Sequence, residues 1–180
     1  FSLEECERIK TIERSINHDV KSIEYYIRRK LNEYGLGEKL NHYIHYGLTS
    51  QDINSTALSV MLKEFNLDHM IPTINTIVNL LKDKRYEYQY INMIGLTHGQ
   101  PATMMTMGRF FELYYHKLSN QLSKLKEFEY STKFGGAVGT LEAHKHSLPE
   151  INWDLFTEMF LIYKFGLKRQ TVTNQIMNYE

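Results

Sequence analysis

His98 is the residue with the clearest chemical potential, and it lies in the segment Thr97–Ala102, which reads THGQPA. Histidine is the side chain that most readily gives or takes a proton near neutral pH. Gly99 allows a ligand to approach the backbone closely, and the amide of Gln100 can orient an anionic group. A long helical pattern follows, and it predicts that Pro101 opens a helix whose free N–H groups attract anions. The alternative is that His98 is a structural hydrogen-bonding residue.

Two further polar segments offer complementary chemistry. The segment His45–Ile53 reads HYGLTSQDI and has the pattern of a helix start. The hydroxyls and free N–H groups of Thr49 and Ser50 can hold a carboxylate there, or they can act only as helix caps. Asn17–Asp19 places three different hydrogen-bonding groups in a row, which can read the edge of a base or sugar or can form a solvated helix face. We predict that both segments and His98 converge on one active site.

Composition excludes several classes of protein. The 21 Lys and Arg residues balance the 21 Asp and Glu residues, so charge alone predicts no attraction to nucleic acid or to an acidic membrane. No apolar run reaches the ~18 residues of a membrane span, and Phe1–Glu5 does not resemble a signal peptide. Cys6 is the only cysteine in the 180 residues, which fits a reducing, cytoplasmic location. The chain does not begin with Met, and we expect it to be incomplete at both ends.

The histidines and glycines do not form a known metal or nucleotide motif. His42 and His45 are three residues apart and His144 and His146 two apart, but no HExxH arrangement or matching cysteine accompanies them. The glycines of residues 135–139 lack the βαβ surroundings of a dinucleotide fingerprint. The sequence therefore predicts neither a metal site nor a cofactor.

The elements that position these residues are predicted to be long helices, since only three prolines interrupt the chain. Apolar residues at steps of three and four predict one helix from Ile9 to Leu31, ended by Gly35 and Gly37. A second helix starts at Thr49 or Ser50 and is interrupted at residues 66–68.

The second half of the chain is predicted to continue in the same way. A third helix runs from about Asp68 to Tyr88, and the longest begins at Pro101 with a nearly heptad seam. A glycine-rich loop at Lys133–Gly139 separates it from a shorter helix at about 154–165, capped by Gly166 and followed by an extended tail. The fold class is therefore all-α, built from long antiparallel helices. The seam residues are Met107, Phe111, Tyr114, Leu118, Gln121 and Leu125.

These segments together resemble the adenylosuccinate lyase family of the fumarase/aspartase superfamily. The resemblance covers nearly the whole chain, and its last segment looks like the bacterial-type branch. It implies that residues 1–41 end an N-terminal helical domain and that residues 42–180 begin a central bundle of very long helices. The segments that carry it are Asn17–Lys21, His45–Asn54, Thr97–Thr103, Gly136–Gly139 and Pro149–Trp153.

The resemblance also implies an activity. Members of the family eliminate fumarate from adenylosuccinate to give AMP, and from the succinylated aminoimidazole carboxamide ribotide earlier in purine biosynthesis. They use no cofactor, and four identical subunits share their active sites. Two alternatives stay open, namely another fumarate-releasing lyase such as argininosuccinate lyase, and a non-catalytic helical scaffold. The triplet Asn17–Asp19 favours a nucleotide substrate, and the intact motif residues argue against a scaffold.

The resemblance assigns roles by position. His98 is implied to be the general acid that protonates the leaving nitrogen, with Thr97 and Gln100 beside it as substrate contacts. Contacts to the nucleotide are implied for Asn17, His18 and Asp19, contacts to the succinyl carboxylates for Thr49 and Ser50, and further substrate contacts for His45 and Gln175.

Two departures from the family pattern matter. A serine that removes the substrate's β-proton is expected on a loop beyond Glu180, so residues 1–180 alone are expected to be inactive. The residues after Gln175, at 177–179, and the residues after the glycine-rich loop, at 140–142, also differ from the pattern.

Overall fold

A computed structural model describes residues 2–179, and most of them are helical. The chain divides into two compact units, one that runs to Val60 and resumes at Tyr130, and one that comprises Met61–Glu129. The predicted all-α class is confirmed, with a β-hairpin in the second unit as its main exception. The domain boundary expected at residue 41 stays a prediction. Within residues 2–179, no helix has the length and hydropathy that crossing a bilayer requires.

The first unit opens with two helices, α1 (Leu3–Ile16) and α2 (Asp19–Glu33). The prediction of one helix from Ile9 to Leu31 is wrong, because the polar triplet breaks it. Asn17 adopts the left-handed conformation that ends α1, with φ 54°, and its N–H donates to the Glu13 carbonyl at 2.7 Å. His18 is extended, and its Nδ1 accepts the Lys21 N–H at 3.2 Å as the N-cap of α2. These local hydrogen bonds end one helix and begin the next, although apolar residues continue at helical spacing through the break.

α2 is buried on two faces. On one face the Tyr26 hydroxyl donates to Glu5 of α1 at 2.7 Å, and this bond helps to lower the pKa of Glu5 to about 2, after the larger effect of the Ser2 backbone N–H. On the other face Val20 and Glu24 are buried. Ile23, from the predicted apolar stripe, remains exposed.

The chain then passes through α3 (Gly37–Leu40) and a 3₁₀ turn (Asn41–Tyr43) to α4 (Ser50–Phe65). The predicted start of this helix at Thr49 or Ser50 is confirmed. The interruption expected at residues 66–68 is a π-helical turn, Asn66–Met70, that widens the helix without ending it. α5 (Ile71–Glu87) follows, with Pro72 in its first turn as predicted.

The second unit contains a β-hairpin where a helix was expected. β1 (Asn92–Thr97) pairs antiparallel with β2 (Gln100–Thr106), and α6 (Met107–Lys126) begins only after it. The prediction that Pro101 opens a helix is therefore wrong. Threonines favour strands and pairing with β1 stabilises the extended chain, while the Thr106 hydroxyl accepts the Arg109 N–H at 3.2 Å and so caps α6.

α5 and α6 pack against each other along most of their length. A Cβ at Gly108 would lie 2.6 Å from the Arg85 carbonyl oxygen, so glycine allows the start of α6 to approach α5 closely. Leu122 is buried, whereas Tyr114 and Gln121 of the predicted seam are exposed. The side of α6 that is buried therefore includes Leu122 in place of the predicted Gln121.

The last part of the first unit surrounds the glycine-rich loop, Lys133–Gly139, whose irregular structure confirms the prediction. This part of the unit contains β3 (Ser131–Thr132), α7 (Glu142–Ser147), α8 (Trp153–Phe165) and β4 (Lys168–Arg169). β4 pairs parallel with β3. Gly166 ends α8 with φ 60°, as predicted. The apolar core here comprises Leu141, Trp153, Leu161 and Leu167.

Candidate active site

Two of the three predicted segments meet within the first unit, at the starts of α2 and α4. The Asn54 amide donates to the Asp19 carboxylate at 3.2 Å across this junction. Asp19 lies at the first position of α2, where the Val20 N–H and then the Asn54 amide hold its pKa below the usual range. His18, Asp19 and Asn17 are all exposed to solvent, so their polar atoms are accessible to a ligand.

His45 joins the same junction from the loop before α4. Its Nδ1 lies 3.3 Å from Oε1 of Glu24, a buried residue of α2, and the other oxygen of Glu24 accepts a hydrogen bond from Lys21 at 2.7 Å. The backbone of His45 is left-handed, with φ 59°. The ring therefore contacts α2 although its loop leads into α4.

A buried carboxylate organises the first turn of α4. Asp52 accepts hydrogen bonds from the Thr49 N–H at 2.8 Å, the Lys133 ammonium at 2.7 Å, and the N–H groups of Gly135 and Gly136 at 2.9 and 3.1 Å. Lys133 also donates to the Gly136 carbonyl at 2.7 Å. The helix start that carries Thr49 is thus tied directly to the glycine-rich loop.

The position of Thr49 and Ser50 fits both interpretations made from the sequence. Asp52 supplies half of a capping box by accepting the Thr49 N–H. Thr49 and Ser50 are half-buried, with Ser50 as the first residue of α4. Their contact with a substrate carboxylate stays a prediction.

A second buried group, the imidazole of His144, packs against the loop before α4, which in turn contacts the glycine-rich loop. A Cβ at Gly47 would lie 2.6 Å from Cε1 of His144, and one at Gly136 would lie 2.8 Å from the Gly47 carbonyl oxygen. The imidazole packs against Trp153, with ring centroids 4.7 Å apart, and its Nδ1 is buried without a hydrogen-bond partner. Burial lowers the pKa of His144, which favours the neutral ring.

Gln175 is exposed on a tail that folds back onto the same unit. A Cβ at Gly139 would lie 2.1 Å from the Thr173 carbonyl oxygen, so the tail passes directly over the glycine-rich loop. The Gln170 side chain exchanges two hydrogen bonds with the backbone of Asn178, at 2.9 and 3.0 Å. The Gln51 amide of α4 bonds to the Tyr179 hydroxyl. These contacts hold the tail beside the first turn of α4.

His98 belongs to the second unit and lies at the tip of its hairpin. His98 and Gly99 form the two-residue turn, with φ 51° and 74°, values typical of a type I′ turn. Thr97 and Gln100 pair on either side of it, and all four residues are exposed. The expected helix N-terminus is absent here, and His98 lies instead in a hairpin turn. Its convergence with the first-unit segments stays a prediction.

Sequence reasoning missed four residues of this arrangement, namely Glu24, Asn54, Lys133 and His144. Each of them contacts a residue of a predicted segment that lies at least 20 positions away in the sequence. A local sequence pattern therefore could not identify them. Among residues 2–179 there is no group of three or more His, Cys, Asp or Glu side chains placed to hold a metal ion.

Comparison with known proteins decides the family. Residues 1–176 match the model of a family described as lyase. The chain belongs to this lyase family. It is 39% identical over 184 residues to the adenylosuccinate lyase of Dictyostelium discoideum, and 36% identical over 176 residues to that of Escherichia coli K12. The resemblance drawn from the motifs is confirmed.

The lyase-family chain spans only part of these relatives. The alignments cover 100% and 98% of this chain but 40% and 38% of the two enzymes. Among solved structures, a fumarate lyase from Mesorhizobium sp. has a TM-score of 0.77 at 20% identity, covering 96% of this chain and 38% of its own. A β-carboxy-cis,cis-muconate cycloisomerase from Acinetobacter calcoaceticus has 0.72 at 18%, covering 93% and 37%. These structures show the same fold.

Proposed function

We propose that this chain is part of a C–N lyase that eliminates fumarate from adenylosuccinate, giving AMP. We propose the same elimination from the succinylated aminoimidazole carboxamide ribotide of purine biosynthesis. The observation that carries the proposal is the junction of the α2 and α4 starts, where Asp19 meets Asn54. This junction joins the helix that begins with the nucleotide-side candidates to the helix that begins with the carboxylate-side candidates. The identity of 39% to an adenylosuccinate lyase supports the choice of substrate.

The proposed chemistry explains why donors are needed at the start of α4. A base removes the proton next to a substrate carboxylate, and negative charge develops on that carboxylate. Preorganised donors at such a position are worth about 3 kcal/mol each. Thr49 and Ser50 supply hydroxyls at a helix start that Asp52 holds in place, and Gln175 adds an amide from the tail.

The second half of the elimination requires an acid. As the C–N bond breaks, its electron pair goes to the departing nitrogen, while the electrons of the broken C–H bond form the double bond of fumarate. The nitrogen then takes a proton and becomes the amino group of AMP. His98, with Thr97 and Gln100 beside it, is the proposed donor, and such acid catalysis is worth roughly 10²–10⁴-fold.

The nucleotide is proposed to contact the start of α2. Asp19 is exposed and its lowered pKa keeps it ionised, so it can accept hydrogen bonds from hydroxyl or amino groups. Asn17 and His18 stand beside it, and His45 lies on the adjoining loop. No metal or cofactor enters the proposed reaction.

We also propose that the lyase is a homotetramer with shared active sites, in the cytoplasm, without nucleic-acid or membrane partners. Exposed apolar side chains along the helices support burial against other copies, because such surface is costly in water. A mass of four subunits in light scattering by the full-length protein is the expected result, and a stable monomer would contradict it. These side chains include Met61, Leu62, Phe65, Ile77, Leu80, Phe110 and Leu113.

The activity is tested with the full-length protein and three substrates. Release of fumarate from adenylosuccinate and from the succinylated ribotide, followed by ultraviolet absorbance, is the expected result. Turnover of argininosuccinate in their place would overturn the nucleotide assignment. Absence of turnover with all three substrates would favour a scaffold.

A further inference from the structure

We propose that Glu24 is a positioning residue for the lyase reaction, which fixes the imidazole of His45 with its proton on Nδ1 and leaves the Nε2 lone pair for the substrate. The inference rests on the proposed function only for its catalytic consequence. The contact itself belongs to the first unit and is independent of which substrate the enzyme takes.

The burial of Glu24 is the first step of the argument. Its side chain is 7% exposed, and a carboxylate so far from water must be compensated by donors. Oε2 receives the ammonium of Lys21 at 2.7 Å. Oε1 lies 3.3 Å from Nδ1 of His45. A hydrogen on that nitrogen places positive charge toward the carboxylate, whereas a lone pair there would face the carboxylate and be repelled by it.

The tautomer follows from this contact. The two nitrogens of a neutral imidazole share one hydrogen, so a hydrogen on Nδ1 makes Nε2 the hydrogen-bond acceptor. The geometry of the ring directs Nε2 away from the atom that Nδ1 contacts. His45 therefore offers an acceptor to a hydroxyl or N–H group of the substrate. Carboxylates orient catalytic and metal-binding histidines by the same interaction elsewhere.

The backbone of His45 points to the same conclusion. Its φ of 59° is a left-handed conformation that glycine adopts without strain, yet a histidine occupies it. The loop is closed on either side by the Tyr46 N–H to the Tyr43 carbonyl and by the Leu48 N–H to the His45 carbonyl, both at 3.3 Å. A strained residue held in this way indicates a use for its side chain.

Glu24 also explains how the ring is aligned with the rest of the site. It lies five residues after Asp19 on α2, and His45 lies four residues before Thr49. The Glu24–His45 contact joins α2 to the loop before α4, and the Asp19–Asn54 hydrogen bond joins α2 to α4 itself. α2 is therefore tied both to the loop that carries His45 and to the helix that follows it.

The tautomer is tested on the full-length protein by ¹⁵N spectra of histidine labelled at both ring nitrogens, with the His45 signals assigned by their loss in His45→Gln. A protonated Nδ1 and an unprotonated Nε2 in neutral His45 are expected. In Glu24→Gln the population of the Nε2–H form should rise. A wild-type His45 protonated on Nε2 would overturn the proposal, and this measurement does not depend on turnover.

The catalytic consequence is tested by a double-mutant cycle on fumarate release. Glu24→Gln should lower kcat/KM about tenfold in the wild-type background and less than twofold in the His45→Gln background, since it acts through that ring. Glu33→Gln is the matched control, because Glu33 is an ion-paired carboxylate on the exposed end of the same helix, and it should leave kcat/KM unchanged. Equal losses in both backgrounds would reject the positioning role. A wild type without turnover would reject the proposed function, while the ¹⁵N spectra still decide the tautomer.

Discussion

Lys133 and Asp52 form an ion pair at 2.7 Å in which the side chains are 0% and 2% exposed. The pair joins the glycine-rich loop to the first turn of α4 across 81 positions of sequence. Every oxygen of the carboxylate also accepts a backbone N–H, so the charge is both paired and hydrogen-bonded. Such a pair specifies one arrangement of the two segments, because any other leaves a buried charge alone.

Removing one partner should therefore be costly. Lys133→Met is expected to lower the free energy of unfolding by about 3–5 kcal/mol, since it leaves the Asp52 carboxylate buried without its counter-ion. Denaturant titration measures the loss. Lys145→Met is the control, because Lys145 is 41% exposed and its pair with Asp154 is worth about 1 kcal/mol or less. Equal small losses for both variants would show that the buried pair does not hold the loop.

Gly47 provides a separate test of the same loop packing. Its φ is 62°, and a Cβ there would lie 2.6 Å from the ring of His144. Gly47→Ala should cost about 1–3 kcal/mol from overpacking, in addition to about 1 kcal/mol for the left-handed backbone. Gly35→Ala is matched in backbone, with φ 70° and no atom within 4 Å of the Cβ, and should cost only the second amount. Thermal unfolding of the two variants separates packing from backbone strain.

The sequence predicts helix ends where local chemistry decides them. The start of α4 and the end of α8 at Gly166 follow from a capping pattern and a glycine within a few residues. The break between α1 and α2 was missed because the apolar period runs through it without interruption. Only the cap formed by His18 and the left-handed Asn17 reveals the break.

Non-local contacts explain the remaining differences. Residues 100–106 form a strand because β1 pairs with them. The spacing of apolar residues along one segment carries no information about a partner strand, so it could not predict this pairing. The candidate site shows the same division, since its motif residues stand out in the sequence while Glu24 and Lys133 do not. A buried charge is recognised only when its partner, 21 or 81 positions away, is brought beside it.

The buried imidazole of His144 should make stability depend on pH. Burial lowers the pKa of His144 in the folded state below its ordinary value of 6.5. The unfolded chain therefore binds the proton more readily, so stability is complete above about pH 6.5 and falls as the pH drops below it. His144→Phe keeps an aromatic ring beside Trp153 and should reduce the loss of unfolding free energy between pH 7 and pH 5. An identical pH dependence in the two proteins would assign it to other groups.

His98 should separate stability from activity. It adopts φ 51° at the first position of a type I′ turn, where glycine is less strained, so His98→Gly should stabilise the full-length protein by about 0.5–1 kcal/mol relative to His98→Ala. Both variants should lose roughly 10²–10⁴-fold in fumarate release, because the proposed proton donor is gone. His146→Gln, which changes another exposed histidine, should retain full turnover. Near-normal turnover of either His98 variant would remove this residue from the acid role. The expected result is that His98→Gly is more stable than His98→Ala and that neither variant releases fumarate at the wild-type rate.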